Sequence, residues 1–250
     1  MPDPDASPDA PGPRRPRTIA ERRFAEEAAE LAGLGMAERF ARMYHTNLWS
    51  GAESRSGEGS SLAATAGVRT ALPGVLRQLG VRRLLDVPCG DFNWMAHVDL
   101  AAAGVEAYVG GDLVPAVVAA NRQLHAASGR EFLQTDLTAG PLPLVAGQPA
   151  DAVLCRDCLV HFTFANIARV LDVLRASGAR HLITTTFLEH QANADVAVDG
   201  DWRPLAFERP PFNFPAPLAV LVEGCEEEGG AYADKALAAW LIAELPRPAL

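Results

Sequence analysis

Lysine is almost absent from this chain, and basic charge as a whole is outnumbered. Lys235 is the one lysine in 250 residues, and 22 basic residues face 31 acidic ones, which gives a formal net charge of −9. Proteins that bind DNA or RNA cluster Lys and Arg on one face to neutralise phosphates. The composition therefore argues against a nucleic-acid partner.

Cysteine and long apolar runs are also scarce. The four cysteines lie in or near predicted strands, where reduced thiols pack as small apolar groups, so no disulfide framework is expected. They are Cys89, Cys155, Cys158 and Cys225. The N-terminus has no apolar core of the signal-peptide type, and no run of about 18 apolar residues occurs. These absences predict a cytoplasmic protein without a membrane partner.

Short apolar runs alternate with segments of helical periodicity, and 49% of the residues are hydrophobic. This pattern predicts one α/β domain with a mainly parallel sheet. We expect a disordered leader over 1–17, which holds six prolines, then a helical cap and a Gly/Ser loop over 18–64, and the α/β domain over 65–250. Helices are predicted for 65–79, 92–102, 115–127 and 164–176, and the last two strands for 218–223 and 236–242.

Acidic residues stand where three predicted strands end. The run before Asp86 drops into the turn Asp86–Asp91, the second strand ends in Gly110-Gly111-Asp112, and the third ends at Asp136. In a parallel sheet these ends meet at one edge, and a carboxylate roughly 20 residues past the first turn is placed to bind ribose hydroxyls. The pattern predicts a nucleotide-like cofactor.

The chain resembles the class I S-adenosylmethionine-dependent methyltransferases from Arg69 to Ile242. More narrowly, the segments CGDFNWM, CRDCLVHF, TTTF, GDWRPL, PFNFP and YADKAL are similar to a bacterial branch of that family. The resemblance implies a Rossmann-like, seven-stranded, mostly parallel sheet with helices on both faces and an antiparallel seventh strand. It implies S-adenosylmethionine as cofactor, bound by Asp86, Cys89, Gly90, Asp91, Asp112, Leu113, Asp136, Leu137 and Arg156.

The first turn differs from the dinucleotide fingerprint. G-x-G-x-x-G needs three glycines, and only Gly90 occupies this turn. A nicotinamide-dependent oxidoreductase is therefore a weak alternative.

Asp157 and His161 follow the fourth predicted strand, and we take them as the candidate catalytic residues. Methyl transfer needs an oriented nucleophile and a group that removes its proton, and histidine titrates near neutral pH. Two other interpretations stay open: His161 bonds a neighbouring loop, or Asp157 caps a turn or orients a substrate amine. Cys155, Cys158 and His161 have zinc-ligand chemistry, but no second ligand pair has metal spacing, so no metal is predicted.

Substrate contacts are expected from three segments. The Gly/Ser-rich stretch 47–61 is either a linker or a loop that closes over the ligand, and the long connection 188–217 is predicted to be an ordered wall. The acidic cluster 223–228 is either a solvated face or part of the pocket. The candidate substrate-binding residues are Trp49, Arg55, Glu189, Trp202 and Glu223.

Taken together, the sequence predicts methyl transfer from S-adenosylmethionine to N or O of a polar small molecule, in specialised-metabolite (antibiotic-type) biosynthesis. The residues Arg156–Leu159 do not form the Asn/Asp-Pro-Pro-aromatic turn of enzymes that methylate base amines. An amine or guanidine acceptor and a sugar hydroxyl both remain open, as does a non-catalytic S-adenosylmethionine-binding protein. The oligomeric state is not predicted.

Overall fold

The computed structural model describes residues 15–250, and a seven-stranded sheet forms its centre. The strand order is β3-β2-β1-β4-β5-β7-β6. The strands are β1 (Arg83–Asp86), β2 (Ala107–Asp112), β3 (Arg130–Gln134), β4 (Ala152–Cys155), β5 (His181–Phe187), β6 (Ala219–Val222) and β7 (Lys235–Leu241).

Strands β1 to β5 run parallel, and β7 runs antiparallel to both β5 and β6. The predicted mostly parallel sheet and its antiparallel seventh strand are therefore confirmed. β1 pairs with β2 on one side and β4 on the other. The chain order changes direction at this point, and ligands of open α/β sheets bind beside such switch points, at the carboxyl ends of the strands.

Helices cover both faces of the sheet, as predicted. Successive side chains of a strand point to opposite faces. In β1, Leu84 packs with helix α3 (Ala66–Gln78) on one face, whereas its neighbour Leu85 packs with helix α5 (Phe164–Ala176) on the other. The helices are α1 (Ile19–Leu31), α2 (Met36–Thr46), α3 (Ala66–Gln78), α4 (Pro115–His125), α5 (Phe164–Ala176) and the short, kinked α6 (Glu227–Gly230).

The helix predicted for 92–102 is wrong. After β1 the chain makes turns and one 3₁₀ turn at Met95–His97, and Phe92 adopts a left-handed φ of 58°. The side chain of Asn93 donates to the Ser60 carbonyl and to Glu53. These two hydrogen bonds connect the segment to the preceding loop. Such bonding competes with helix formation.

The predicted disordered leader falls largely on residues 1–14, which lie outside the described part of the chain. Its last residues, 15–17, are in contact with the domain. Arg15 forms two hydrogen bonds to Asp234 at 2.5 and 2.8 Å, and Tyr232 donates its hydroxyl to the Pro16 carbonyl. Thr18 then caps α1 in a reciprocal pair with Glu21. Within residues 15–250, no helix has the length and apolarity needed to cross a bilayer.

Candidate active site

A cavity of about 190 Å³ opens at the carboxyl ends of β1, β2 and β4. Its wall continues into the Gly/Ser segment, the N-terminal helices and the residues that flank α6. Its polar and charged lining residues include Ser56, Glu58, Asp86, Asp112, Asp136, Arg156, Asp157, His161, Glu227 and Lys235. The cavity therefore lies at the place that the strand-end acids predict.

Buried carboxylates stand at the carboxyl ends of two neighbouring strands. Asp86 is the last residue of β1, and Asp112 is the last residue of β2. Asp112 accepts hydrogen bonds from the backbone N–H groups of Gly90, at 3.1 Å, and Val114, at 2.9 Å. Asp86 accepts one from the hydroxyl of Tyr108, at 2.7 Å. Burial raises the pKa of Asp86 to about 7 and that of Asp112 to about 6. Each oxygen of Asp112 has one backbone donor, which leaves acceptor capacity for a ligand in the cavity.

The raised pKa values predict a pH dependence of stability in the protein without ligand. A folded pKa above the ordinary Asp value near 3.9 means that ionisation opposes folding, so this contribution is absent below about pH 4 and fully destabilising above about pH 7. Asp86→Asn removes the charge and keeps an acceptor for Tyr108. A pKa rise of about three units corresponds to about 4 kcal/mol, so we expect the variant to gain about 4 kcal/mol over the wild type at pH 8 and little at pH 4.

Urea denaturation at several pH values tests this prediction. The exposed Glu131 provides a control, since Glu131→Gln changes a carboxylate outside the cavity. A difference between Asp86→Asn and wild type that stays constant from pH 4 to 8 would contradict the burial account.

The Gly/Ser segment packs against the turn that follows β1. Ser54 donates its hydroxyl to the Asp91 carboxylate, at 2.8 and 2.9 Å, and the N–H of Asp91 donates to the Ser56 hydroxyl, at 3.0 Å. A Cβ on Gly90 would lie 2.5 Å from the Ser56 oxygen, and Gly90 has a φ of +52°. The turn therefore needs glycine, and the segment forms part of the cavity wall.

Four charged side chains form a network at the cavity wall; Arg156, Glu223 and Lys235 are buried, and Asp157 is half-buried. Arg156 donates to both oxygens of Glu223, at 3.1 and 2.7 Å, and to the Gly59 carbonyl. Lys235 donates to Asp157 at 2.7 Å and lies 3.6 Å from Glu223. The two cations hold the pKa of Asp157 well below its ordinary value despite burial, which alone would raise it. Asp157 is therefore a poor proton acceptor.

His161 lies on a 3₁₀ turn, Leu159–His161, that follows β4. Asp157 itself adopts a left-handed φ of 51°. Two carbonyl oxygens, those of Gly200 at 3.3 Å and Asp201 at 3.1 Å, contact Nδ1 of His161. Carbonyls only accept, so we assign the proton to Nδ1, and Nε2 keeps a lone pair.

Burial lowers the pKa of His161 to about 4, so the ring is neutral at physiological pH. Arg203 stabilises the 3₁₀ turn, because its guanidinium donates hydrogen bonds to the carbonyls of Leu159, at 2.9 Å, and Phe162. The segment 188–217 thus positions His161 through Gly200, Asp201 and Arg203. From the sequence, only substrate contact is predicted for that segment.

The predicted site residues divide into two groups. Most line the cavity: Trp49, Asp86, Cys89, Gly90, Asp112, Leu113, Asp136, Leu137, Arg156, Asp157, His161 and Trp202. Asp91, Arg55, Glu189 and Glu223 do not. Asp91 is bonded to the Gly/Ser segment, Glu223 lies behind Arg156, and Arg55 and Glu189 are exposed with their side chains outside the cavity.

Sequence reasoning missed Lys235 and Glu227, which both line the cavity. The sequence contains a signal for Lys235: it is the one lysine of the chain and stands at the start of a predicted strand, where a lysine is an unusual residue to bury. Glu227 could not be separated from its acidic neighbours by pattern. Within residues 15–250, no group of three His, Cys, Asp or Glu side chains has the arrangement of a metal site.

Comparisons with known proteins give structural matches only. No protein-family model matches the sequence, and no curated protein is significantly similar to it. Three of the similar solved structures are methyltransferases. The methyltransferase domain of bacterial CtHen1 is 15% identical, with 49% of this chain and 66% of that chain covered and a TM-score of 0.43.

The second is SAM-bound CalS10, an amino pentose methyltransferase from Micromonospora echinaspora involved in calicheamicin biosynthesis (19% identity, 64% and 55% covered, TM-score 0.38). The third is the sugar N-methyltransferase KedS8 from Streptoalloteichus sp. (27% identity, 50% and 49% covered, TM-score 0.38). The chain thus spans between about half and two thirds of the length of these structures.

Proposed function

We propose that this protein is an S-adenosylmethionine-dependent methyltransferase that acts on N or O of a polar small molecule. The observation that carries the proposal is the buried Asp112 carboxylate, which lines the cavity at the carboxyl end of β2, beside the switch point between β1 and β4. The antiparallel seventh strand and the strand-end acids agree with the family that the sequence resembles.

The residues present fit the cofactor. Asp112 has free acceptor capacity for the two ribose hydroxyls, and Leu113, Asp136 and Leu137 would flank the adenine. Asp86, Cys89 and Gly90 would hold the amino-acid end, where the ionised Asp86 would attract the ammonium group. When bound, the cofactor supplies a methyl group on a positively charged sulfur.

The residues of this chain orient the methyl acceptor and remove its proton. His161 presents an unprotonated Nε2, and within the described residues nothing bonds to that atom. Asp157 lies between Arg156 and Lys235, and these two cations keep its carboxylate ionised. Its negative charge contributes to the electrostatic potential of the site. We assign His161 as the base and Asp157 as a positioning residue.

The proposal includes a role in specialised-metabolite biosynthesis, with a sugar hydroxyl or an amine as the acceptor. The acidic net charge and the cavity of about 190 Å³ favour a small molecule over a nucleic acid. All four cysteines are free, three of them buried, which agrees with a reducing cytoplasm.

Calorimetric titration tests the cofactor assignment directly. We expect micromolar binding of S-adenosylmethionine and S-adenosylhomocysteine, and none of NAD. Tight binding of NAD instead would favour a nicotinamide-dependent oxidoreductase. Cofactor binding without methyl transfer to any acceptor would favour a non-catalytic binding protein.

Replacement of His161 separates base catalysis from cofactor binding. We expect His161→Ala to lower kcat by about 100-fold or more, as loss of a general base does, while the dissociation constant for S-adenosylmethionine changes little. Because the pKa of His161 is lowered to about 4, the wild-type rate should fall on the acid side near that pH and not near 6.5. A variant that keeps at least a third of the wild-type kcat would show that His161 is not the base.

A further inference from the structure

The cavity wall carries more negative than positive charge. Six carboxylates line it: those of Glu58, Asp86, Asp112, Asp136, Asp157 and Glu227. Among residues 15–250, the cations that line it are Arg156 and Lys235. This imbalance favours a ligand set with net positive charge.

Both cations already have carboxylate partners within the charged network. Arg156 forms two hydrogen bonds to Glu223, and Lys235 is bonded to Asp157 at 2.7 Å and lies 3.6 Å from Glu223. Within residues 15–250, no side chain forms a hydrogen bond or an ion pair with Glu227. Glu227 therefore presents to the cavity a carboxylate that has no direct hydrogen-bond or ion-pair partner among the described residues.

Glu227 lies close to the charged network. A Cβ built on Gly59 would be 3.7 Å from Oε1 of Glu227, 3.7 Å from Nζ of Lys235 and 3.3 Å from Oδ2 of Asp157. The same point of the wall thus brings three charged groups together. Burial raises the pKa of Glu227, which is the response of a carboxylate that lacks a dedicated partner.

Three aromatic rings lie in the same part of the structure as the Glu227 segment, because Trp202 packs in one apolar cluster with Cys225 and Ala231, which flank it in the chain. Phe187, Trp202 and Tyr232 all line the cavity and pack edge to face, with ring centroids 5.3–5.9 Å apart. Tyr232 follows Glu227 by five residues, on the segment that leads from α6 into β7. The guanidinium of Arg15 already lies over the rings of Phe187 and Tyr232, 5.9 and 5.4 Å from their centroids, whereas no cation of the described residues lies over Trp202. Ring faces attract cations, so Trp202 and the Glu227 carboxylate form a good environment for an alkylammonium group.

We propose that Glu227, with Trp202, binds the ammonium group of the methyl acceptor, so that the substrate is an aliphatic amine. This inference rests on the proposed function and selects one of its two acceptor classes. The ammonium group loses one proton to Nε2 of His161, and because the pKa of His161 is lowered to about 4, the ring passes that proton on to solvent. Its nitrogen lone pair then forms a bond to the methyl carbon, the carbon–sulfur bond breaks, and that electron pair stays on sulfur.

A matched pair of small probes tests the site without knowledge of the natural acceptor. Cyclohexylamine and cyclohexanol have the same ring and differ in the ammonium group. Ligand-observed NMR titrations measure both with the wild type, with Glu227→Gln and with Glu226→Gln, each with and without S-adenosylhomocysteine. Glu226 is exposed and does not line the cavity, so its variant is the control.

We expect the wild type and Glu226→Gln to bind the amine at least about tenfold more tightly than the alcohol, as one charge-assisted hydrogen bond allows. Glu227→Gln should bind both probes alike. Equal affinity for the two probes in the wild type, or an amine preference that survives in Glu227→Gln, would overturn the proposal. Failure of the proposed function would be seen separately, as absence of S-adenosylhomocysteine binding.

Discussion

Asp112→Ala is expected to abolish binding of S-adenosylmethionine at micromolar concentrations. The side chain is buried at the end of β2 and has free acceptor capacity toward the cavity. Two hydrogen bonds from ribose hydroxyls to a carboxylate contribute about 3–4 kcal/mol, which corresponds to a loss of about 100-fold or more in affinity.

The control for Asp112→Ala must account for its structural bonds. Because Asp112 also accepts from the N–H groups of Gly90 and Val114, alanine could disturb the turn itself. Asp112→Asn keeps one acceptor oxygen and similar volume, and we expect intermediate affinity. Calorimetric titration of both variants, with circular dichroism to verify folding, gives the comparison. Micromolar affinity retained by a folded Asp112→Ala would refute the placement of the ribose.

Glu223→Ala is expected to cost about 3–5 kcal/mol of unfolding free energy, because removal of one member of a buried ion network leaves the other charges uncompensated. Arg156 and Lys235 would then share only Asp157. Both cations are buried and cannot regain full hydration without rearrangement.

Urea denaturation measures this effect against the nearby exposed Glu226. Glu226→Ala should change stability by no more than about 0.5 kcal/mol, as is usual for surface substitutions. Glu223→Gln, which keeps hydrogen-bond acceptors but not the charge, should fall between the two. A loss below about 1 kcal/mol in Glu223→Ala would mean that the network contributes little to stability.

Much of the fold was predictable because its signals are local. Short apolar runs that end in acids mark β1, β2 and β3, and the predicted helix 164–176 matches α5 residue for residue. The wrong helix at 92–102 has a non-local cause. Asn93 bonds to Glu53 and Ser60, and these contacts between distant segments are not visible in a helical periodicity.

The candidate site was predictable in position more than in chemistry. The sequence pattern predicts Asp157 as a catalytic residue beside His161. In the structure Lys235, 78 residues later in the chain, keeps the Asp157 carboxylate ionised. The tautomer of His161 depends on the carbonyls of Gly200 and Asp201, which any residue type would supply. Tertiary partners of this kind determine protonation, and a sequence pattern does not encode them.

The most direct test of the central claim is transfer of labelled methyl from S-adenosylmethionine into a desalted extract of the organism that carries this gene, followed by separation according to size. We predict label in a product below the small-molecule cut-off, with purified wild-type protein and not with His161→Ala. Label retained with macromolecules, or no label above the level without added protein, would contradict a small-molecule methyltransferase.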